Sequence, residues 1–280
     1  MRSEVVMTME DYNPVTNDIW AQMMTHCVQG RKIFVRNRWC REIVAYQTVI
    51  PMMRPLMTVK HRKLSYRLAA AEALWILEGR NDVEFLAKYA PRYREFSDDG
   101  VTLYGAYGVR YKEQIKSVVD ALQEDRNTRR AVMTTWIPNP RNSRDIPCTV
   151  SIQFLIRNDE FYTIVNMRSS DAWLGWPYDV FSFTMMSLDV ILRLDDKTLK
   201  PGMIVLMAGS QHLYEDDIQK FRPHLEGCGG YCPMSIHSLN NPAHLRESLN
   251  AVCDMRTNDD IPQFFNDMVL LHKEFHEEKV

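Results

Sequence analysis

A thiol and a guanidinium are set to meet between residues 146 and 179. Cys148, in Ile146-Pro147-Cys148-Thr149, precedes the β-branched, apolar-rich run Val150 to Ile156, and Asn158-Asp159 then marks a turn. A second run, Glu160 to Met167, follows and ends in Arg168-Ser169-Ser170-Asp171. Paired as a hairpin, the two runs return Arg168 to the start of the first, beside Cys148. A fixed positive charge stabilises a thiolate, which is a nucleophile near neutral pH. The same guanidinium can grip a phosphate through forked hydrogen bonds. Taken alone, a cysteine opening a strand is more often a small buried hydrophobe, so the wider pattern has to decide.

Other residues able to do chemistry lie around this stretch. Asp179 stands before Val180-Phe181-Ser182-Phe183, where it reads either as a helix N-cap or as a carboxyl facing a ligand. Glu72 falls inside the apolar run Leu64, Leu68, Ala71, Leu74 and Trp75; there a carboxylate is costly unless partnered, unless the helix turns that face to water. Tyr93 and Tyr107-Gly108 belong to an aromatic, glycine-bearing region, and Arg129-Arg130 enter a β-like run, Ala131 to Trp136. The segment Arg31 to Glu42, with Arg36 and Arg38 at its centre, reads as a solvated charged loop or as a phosphate-closing one. His224, Cys228, Cys232 and His237 are zinc-friendly side chains. They lack the two-residue spacing of paired cysteines, however, and Gly229-Gly230 with Pro233 reads as a plain loop, so no metal is expected.

The elements that must position these groups follow from periodicity. Helices are expected from Asn17 to Cys27, from Leu64 to Glu78 with Gly79 at its end, from Tyr111 to Gln123, and from Trp176 to Leu194, the last apolar on nearly all sides. Met203 to Ala208 reads as a buried strand leading to His212 and Tyr214, and Asn241 to Asp254 and Pro262 to His276 read as amphipathic helices. With 280 residues, no repeat and no Pro/Gly/Ser linker, a single domain over 1–280 is expected. A net charge of −2 gives no general pull toward polymeric nucleic acid or anionic membrane, so anion binding must be local. The first residues are too short and polar for a signal peptide, no apolar run would span a bilayer, and six scattered cysteines suit a reducing compartment; a cytoplasmic protein is expected.

Cys148, Gln153-Phe154, Arg168-Ser169-x-Asp171 and Leu174-Gly175-Trp176-Pro177-Tyr178-Asp179, in this order, resemble the thymidylate synthase family. The spacings agree as well: Arg168 follows Cys148 by 20 positions and Asp179 follows Arg168 by 11. Arg129-Arg130 upstream and Gly209-Ser210-Gln211-His212-Leu213-Tyr214 downstream also match. The resemblance covers roughly residues 30 to 220, and the part from about 222 departs from it. It implies an α+β fold, with a mixed β-sheet flanked by helices and a two-fold dimer through the sheet. It implies 5,10-methylenetetrahydrofolate as cofactor and a pyrimidine mononucleotide as substrate.

By resemblance, Cys148 is the nucleophile, Glu72 organises water and protons, and Tyr107 stands near C5 of the base. Arg36, with Arg38 as second choice, would close over the phosphate, joined by Arg168 and Ser169 and by Arg129 and Arg130 reaching across the homodimer. His212 and Tyr214 would hold the sugar, and Asp171 and Tyr93 the folate. Methylating members carry asparagine where this chain has Asp179. Asparagine suits the O4 and N3-H edge of uracil, whereas a carboxyl group that accepts from an amino group and donates to N3 suits cytosine. The expectation is therefore a deoxycytidylate 5-hydroxymethyltransferase giving 5-hydroxymethyl-dCMP. The charged end His276 to Val280 lacks the tail with which methylating members exclude water. The alternatives are a C5 methylase of dCMP or dUMP, a catalytically silent nucleotide- or RNA-binding homologue, and a zinc-dependent nucleotide enzyme.

Overall fold

The computed structural model describes residues 16–222 and 230–276. Helix α1 (Thr16–Val28) buries Ile19, Trp20, Met23, Met24 and Cys27 at the helical spacing the sequence shows. Where the sequence reads as a charged loop, the chain instead forms a hairpin of β1 (Arg31–Val35) and β2 (Arg38–Pro51). Arg36 and Asn37 take φ of 51° and 60°, the left-handed pair of a two-residue turn. Five cations do not prevent the pairing, because β1 is an edge strand and leaves its charges in water.

After one 3-10 turn (Lys60–Arg62), α2 (Tyr66–Leu77) starts at Ser65, whose hydroxyl accepts from the Leu68 N–H at 3.2 Å. Two short helices, α3 (Val83–Ala87) and α4 (Tyr93–Phe96), lead to α5 (Tyr107–Glu124), which begins four residues before the periodic pattern suggests. Gly108 is the reason. A Cβ there would lie 2.4 Å from the Arg80 carbonyl oxygen, so only glycine lets the first turn rest against the end of α2, and its low helix propensity hides that turn from pattern reading. Strands β3 (Val132–Thr134), β4 (Thr149–Arg157), β5 (Glu160–Met167) and β6 (Ser170–Asp171) follow, then α6 (Trp176–Leu194) and the long β7 (Lys200–Tyr214). The chain continues through α7 (Glu215–Ile218), a 3-10 turn (Ile236–Ser238), α8 (Pro242–Cys253) and α9 (Gln263–His276).

The described strands form one mixed sheet in the order β1-β2-β7-β5-β4-β3, with β6 also on β7. Strands β5 and β6 run parallel to β7, and the remaining neighbours are antiparallel. Alternation on β5 buries Phe161, Thr163, Val165 and Met167, and a 2.7 Å hydroxyl contact from Thr163 to Ser187 fixes α6 against that face. The other face, with Tyr162 beside Leu155, Ile164 beside Gln153 and half-exposed Met207, is not covered by the helices. Helix α2 packs among α5, α6 and α8, and its fully buried Ala69, Ala70, Ala71 and Ala73 permit the close approach.

Two features aim the strand ends. On β7 the buried side chains are Ile204, Leu206 and Ala208 before Gly209 but Gln211 and Leu213 after it, so the strand turns over there. Gly209 allows this, since a Cβ would approach the Arg168 carbonyl to 3.2 Å; nearby on β2, Ala45 has φ of 56°. Behind the site, buried Asp189 accepts from Arg193 at 2.6 Å and Arg246 at 2.7 Å and from the Tyr111 hydroxyl at 2.5 Å, joining α5, α6 and α8. Among the described residues, no helix is long and apolar enough to cross a membrane.

Candidate active site

The β4–β5 hairpin brings Cys148 and Arg168 together through backbone pairing. The Arg168 N–H donates to the Cys148 carbonyl at 2.9 Å. Its side chain is locked by Nε on the Pro147 carbonyl at 2.8 Å and Nη2 on the Ile146 carbonyl at 2.9 Å, which leaves Nη2 3.8 Å from the Cys148 sulfur. The turn that makes this possible has Asn158 and Asp159 at φ of 51° and 64°. The thiol itself differs from the expectation. Burial pushes its pKa above the ordinary cysteine value, and Arg168, with a smaller pull from Arg36, only partly offsets this.

Cys148 opens into a cavity of about 360 Å³. Glu72, Tyr93, Tyr107, Ser169, Asp171 and Asp179 line it, each from a different element or strand end. Tyr107 is the first residue of α5, and its hydroxyl accepts from the Thr149 N–H at 3.1 Å and the Thr149 hydroxyl at 3.0 Å. The ring stacks on Phe183 with centroids 6.3 Å apart, and burial raises the phenol well above its usual range. Asp171 uses Oδ1 to accept from the N–H groups of Trp173 and Leu174, both at 2.9 Å, and burial raises its pKa.

Glu72 projects from the middle of α2, flanked by buried Ala71 and Ala73, and its Oε1 accepts the Tyr93 hydroxyl. Burial, reinforced by the nearby Asp179 charge and opposed by Arg92, raises its pKa to about 8. Asp179 lies in the first turn of α6, but Gly175 occupies the N-cap position and the Asp179 carboxylate makes no capping bond. Among the described residues that carboxylate has no hydrogen-bond partner, and burial, with Asp171 nearby, raises its pKa to about 7. Two acids that ionise reluctantly thus line the same cavity as the nucleophile.

The remaining expected residues lie at varying distances from that space. Arg36 sits exposed at the hairpin tip, close enough for its charge to favour the Cys148 thiolate. Arg38 is engaged elsewhere, bonded to Asp216 at 2.9 Å and placed 4.0 Å from the Tyr214 ring. His212 pairs with Asp171 in the sheet, and its ring meets that of Tyr214 edge-on at 5.3 Å; neither side chain lines the cavity. Arg129 and Arg130 are exposed just before β3 and do not line it either. His224 and Cys228 lie outside the described residues, and no cluster of three or more metal-ligating side chains is present among those described.

Sequence reasoning missed Arg92, Asp145 and Tyr178, all of which line the cavity. Asp145 accepts the Gly105 N–H at 2.7 Å, tying the loop before α5 to the loop before Cys148. The available signals were a cation directly before Tyr93 and a carboxylate three residues before the cysteine.

A mixed sheet whose hairpin seats a cysteine against a locked arginine, under helices that supply two acids of raised pKa, frames one cavity beside the sheet. The thymidylate synthase family model matches residues 18–244, and the chain belongs to that family. The match runs past both ends of the resemblance read from motifs alone. The chain is 31% identical over 162 residues to the deoxyuridylate hydroxymethyltransferase of Pseudomonas phage M6, covering 54% of this chain and 45% of that protein. It is 24% identical over 204 residues to the thymidylate synthase of Mycoplasma genitalium, covering 60% of this chain and 69% of that one. The match thus spans less than half the length of the phage relative.

Proposed function

We propose that this protein transfers a one-carbon unit to C5 of a cytosine mononucleotide and releases the 5-hydroxymethyl nucleotide. The observation that carries the reading is Asp179: a carboxyl lining the cavity with no hydrogen-bond partner among the described residues, able to hold a proton near neutral pH, at the position that the family resemblance assigns to the base. Protonated, it donates to N3 of cytosine; its other oxygen accepts from the 4-amino group.

The one-carbon donor of the family is 5,10-methylenetetrahydrofolate. The cavity fits such a ligand: Trp75, Ile76, Leu86, Phe96, Leu103 and Leu174 offer apolar wall for a flat ring, and Asp171 keeps one carboxylate oxygen free of backbone donors. Bound there, it supplies carbon at the oxidation level of formaldehyde.

Arg168, Ser169 and Arg36 hold the nucleotide phosphate, and Arg129 and Arg130 complete the site from a second copy of the chain. The uncovered sheet face, with Ile164, Leu155, Tyr162 and Met207, is the surface through which two copies meet. His212 and Tyr214 face the sugar. Cys148 passes its proton to water in the cavity, and the thiolate adds to C6 of the base, which makes C5 electron-rich. Proton transfer from Asp179 to N3 neutralises the charge that builds on the ring. Tyr107, fixed by Thr149, handles the hydrogen at C5, and Glu72 manages water.

A second reading has a specific observation behind it, because the phage relative is named for a uracil nucleotide. Product analysis separates the two. The protein is offered dCMP, CMP and dUMP with methylenetetrahydrofolate, and the products are weighed; a hydroxymethylated cytosine nucleotide is expected. Exclusive use of dUMP would reject the cytosine reading, and a methyl product would reject hydroxymethylation.

A further inference from the structure

We infer that Tyr93 is the positioning residue that turns Glu72 into the base for water attack, and so sets hydroxymethylation as the outcome of the reaction. The inference rests on the proposed function and goes beyond it by assigning the step that decides the product.

Glu72 lies in the most apolar part of α2, between Ala71 and Ala73, and the Tyr93 hydroxyl is its hydrogen-bond partner among the described residues. Tyr93 opens the short helix α4, packs half-buried against the core and lines the same cavity as Glu72. The hydroxyl donates to Oε1. That bond engages Oε1 and leaves Oε2 with no hydrogen-bond partner among the described residues. Burial raises the Glu72 pKa to about 8, and a hydrogen bond donated to the carboxylate works against that rise by favouring the charged form, which is the form a base requires. Arg92, the preceding residue, adds a positive charge with the same effect. Trp75, Ile76, Leu86 and Leu103 form an apolar part of the wall of the same cavity.

The step balances without an oxidant or reductant. Once a methylene stands on C5 as an exocyclic double bond, with Cys148 sulfur bonded to C6, a water molecule held by Glu72 attacks the methylene carbon. A C–O bond forms, the water proton passes to Glu72, and the electron pair of the exocyclic double bond moves into the ring. Return of that pair as the C5–C6 double bond breaks the bond to sulfur and frees Cys148 as thiolate. The product carries hydroxymethyl, and no hydride is used.

The test is Tyr93→Phe in the full-length protein, which keeps the ring and removes only the hydroxyl. Two rates are compared: release of tritium from C5 of labelled dCMP without folate, which needs Cys148 but not the water step, and formation of hydroxymethyl product with folate. We expect hydroxymethyl formation at saturating folate to fall about tenfold or more, as for loss of about 1.4 kcal/mol in the transition state, and to fall by more than C5 exchange does. Added 2-mercaptoethanol should then capture the methylene as a thioether in the variant more than in wild type. The acid limb of the pH profile for hydroxymethyl formation should move to higher pH, since Glu72 loses a donor that favoured its charged form; a merely structural role would not shift it. Unchanged hydroxymethyl formation, or exchange falling in parallel with it, overturns the proposal. A wild-type protein that yields only a methyl product overturns the functional reading as well, which distinguishes the two failures.

Discussion

At the scale of single residues, the site works by burial opposed to charge. Desolvation raises the acids and the thiol alike, and only local partners decide by how much. Asp179→Asn replaces an acid that presents both acceptor and proton by an amide with the uracil-matching pattern. We expect kcat/KM for dUMP relative to dCMP to rise about tenfold or more, since a site built around one hydrogen-bonding pattern rejects the other; an unchanged ratio in competition assays would contradict the assignment. A stability prediction follows from the same acids. Their folded pKa values, about 8 for Glu72 and about 7 for Asp179, lie above unfolded carboxyl values. The folded state therefore binds the extra protons, so the stabilisation is complete below the unfolded values and is lost as pH rises through 7 and 8. Unliganded Glu72→Gln and Asp179→Asn should accordingly gain thermal stability over wild type between pH 5 and 9. Parallel melting curves across that range would rule the shifts out.

At the scale of elements, two joints carry the geometry. The hairpin register places Arg168 at Cys148, and the start of α5 places Tyr107 under Thr149. Gly108→Ala tests the second joint, because the new methyl would meet the Arg80 backbone at 2.4 Å, where no flexible side chain can yield. Overpacking of this kind costs about 1–3 kcal/mol. The melting midpoint should fall by about 2–4 °C per kcal/mol, and C5 exchange should fall with it as Tyr107 moves. An unperturbed midpoint would show that α5 has room to shift. Elements were unevenly legible from sequence. The β4–β5 hairpin and α6 were plain, because long apolar runs between strong turn residues leave few alternatives. The hairpin at Arg36-Asn37 was hidden, because an edge strand buries too little to display alternation. Residues 107–110 were hidden because a glycine required by close packing carries no helical signal.

At the scale of the whole molecule, the exposed Arg129 and Arg130 and the uncovered sheet face bear on one prediction. An Arg129→Ala, Arg130→Ala double variant and Cys148→Ser should each be inactive. Mixed and allowed to exchange subunits, they should recover activity if two copies share the site as proposed, since one hybrid site would then carry Cys148 from one copy and both arginines from the other. No recovery, with subunit exchange demonstrated, would mean that the arginines serve no shared site. Sequence alone determined the thiol, the guanidinium, the acids and the strands that present them, because residue type and strand period are local properties of the chain. Only the tertiary structure decided that Arg92, Asp145 and Tyr178 share their cavity, that Tyr93 bonds to Glu72, and that burial outweighs Arg168 at the thiol. Those outcomes depend on distance and on exclusion of water, which arise when separate helices close over the sheet and are written in no single stretch of sequence.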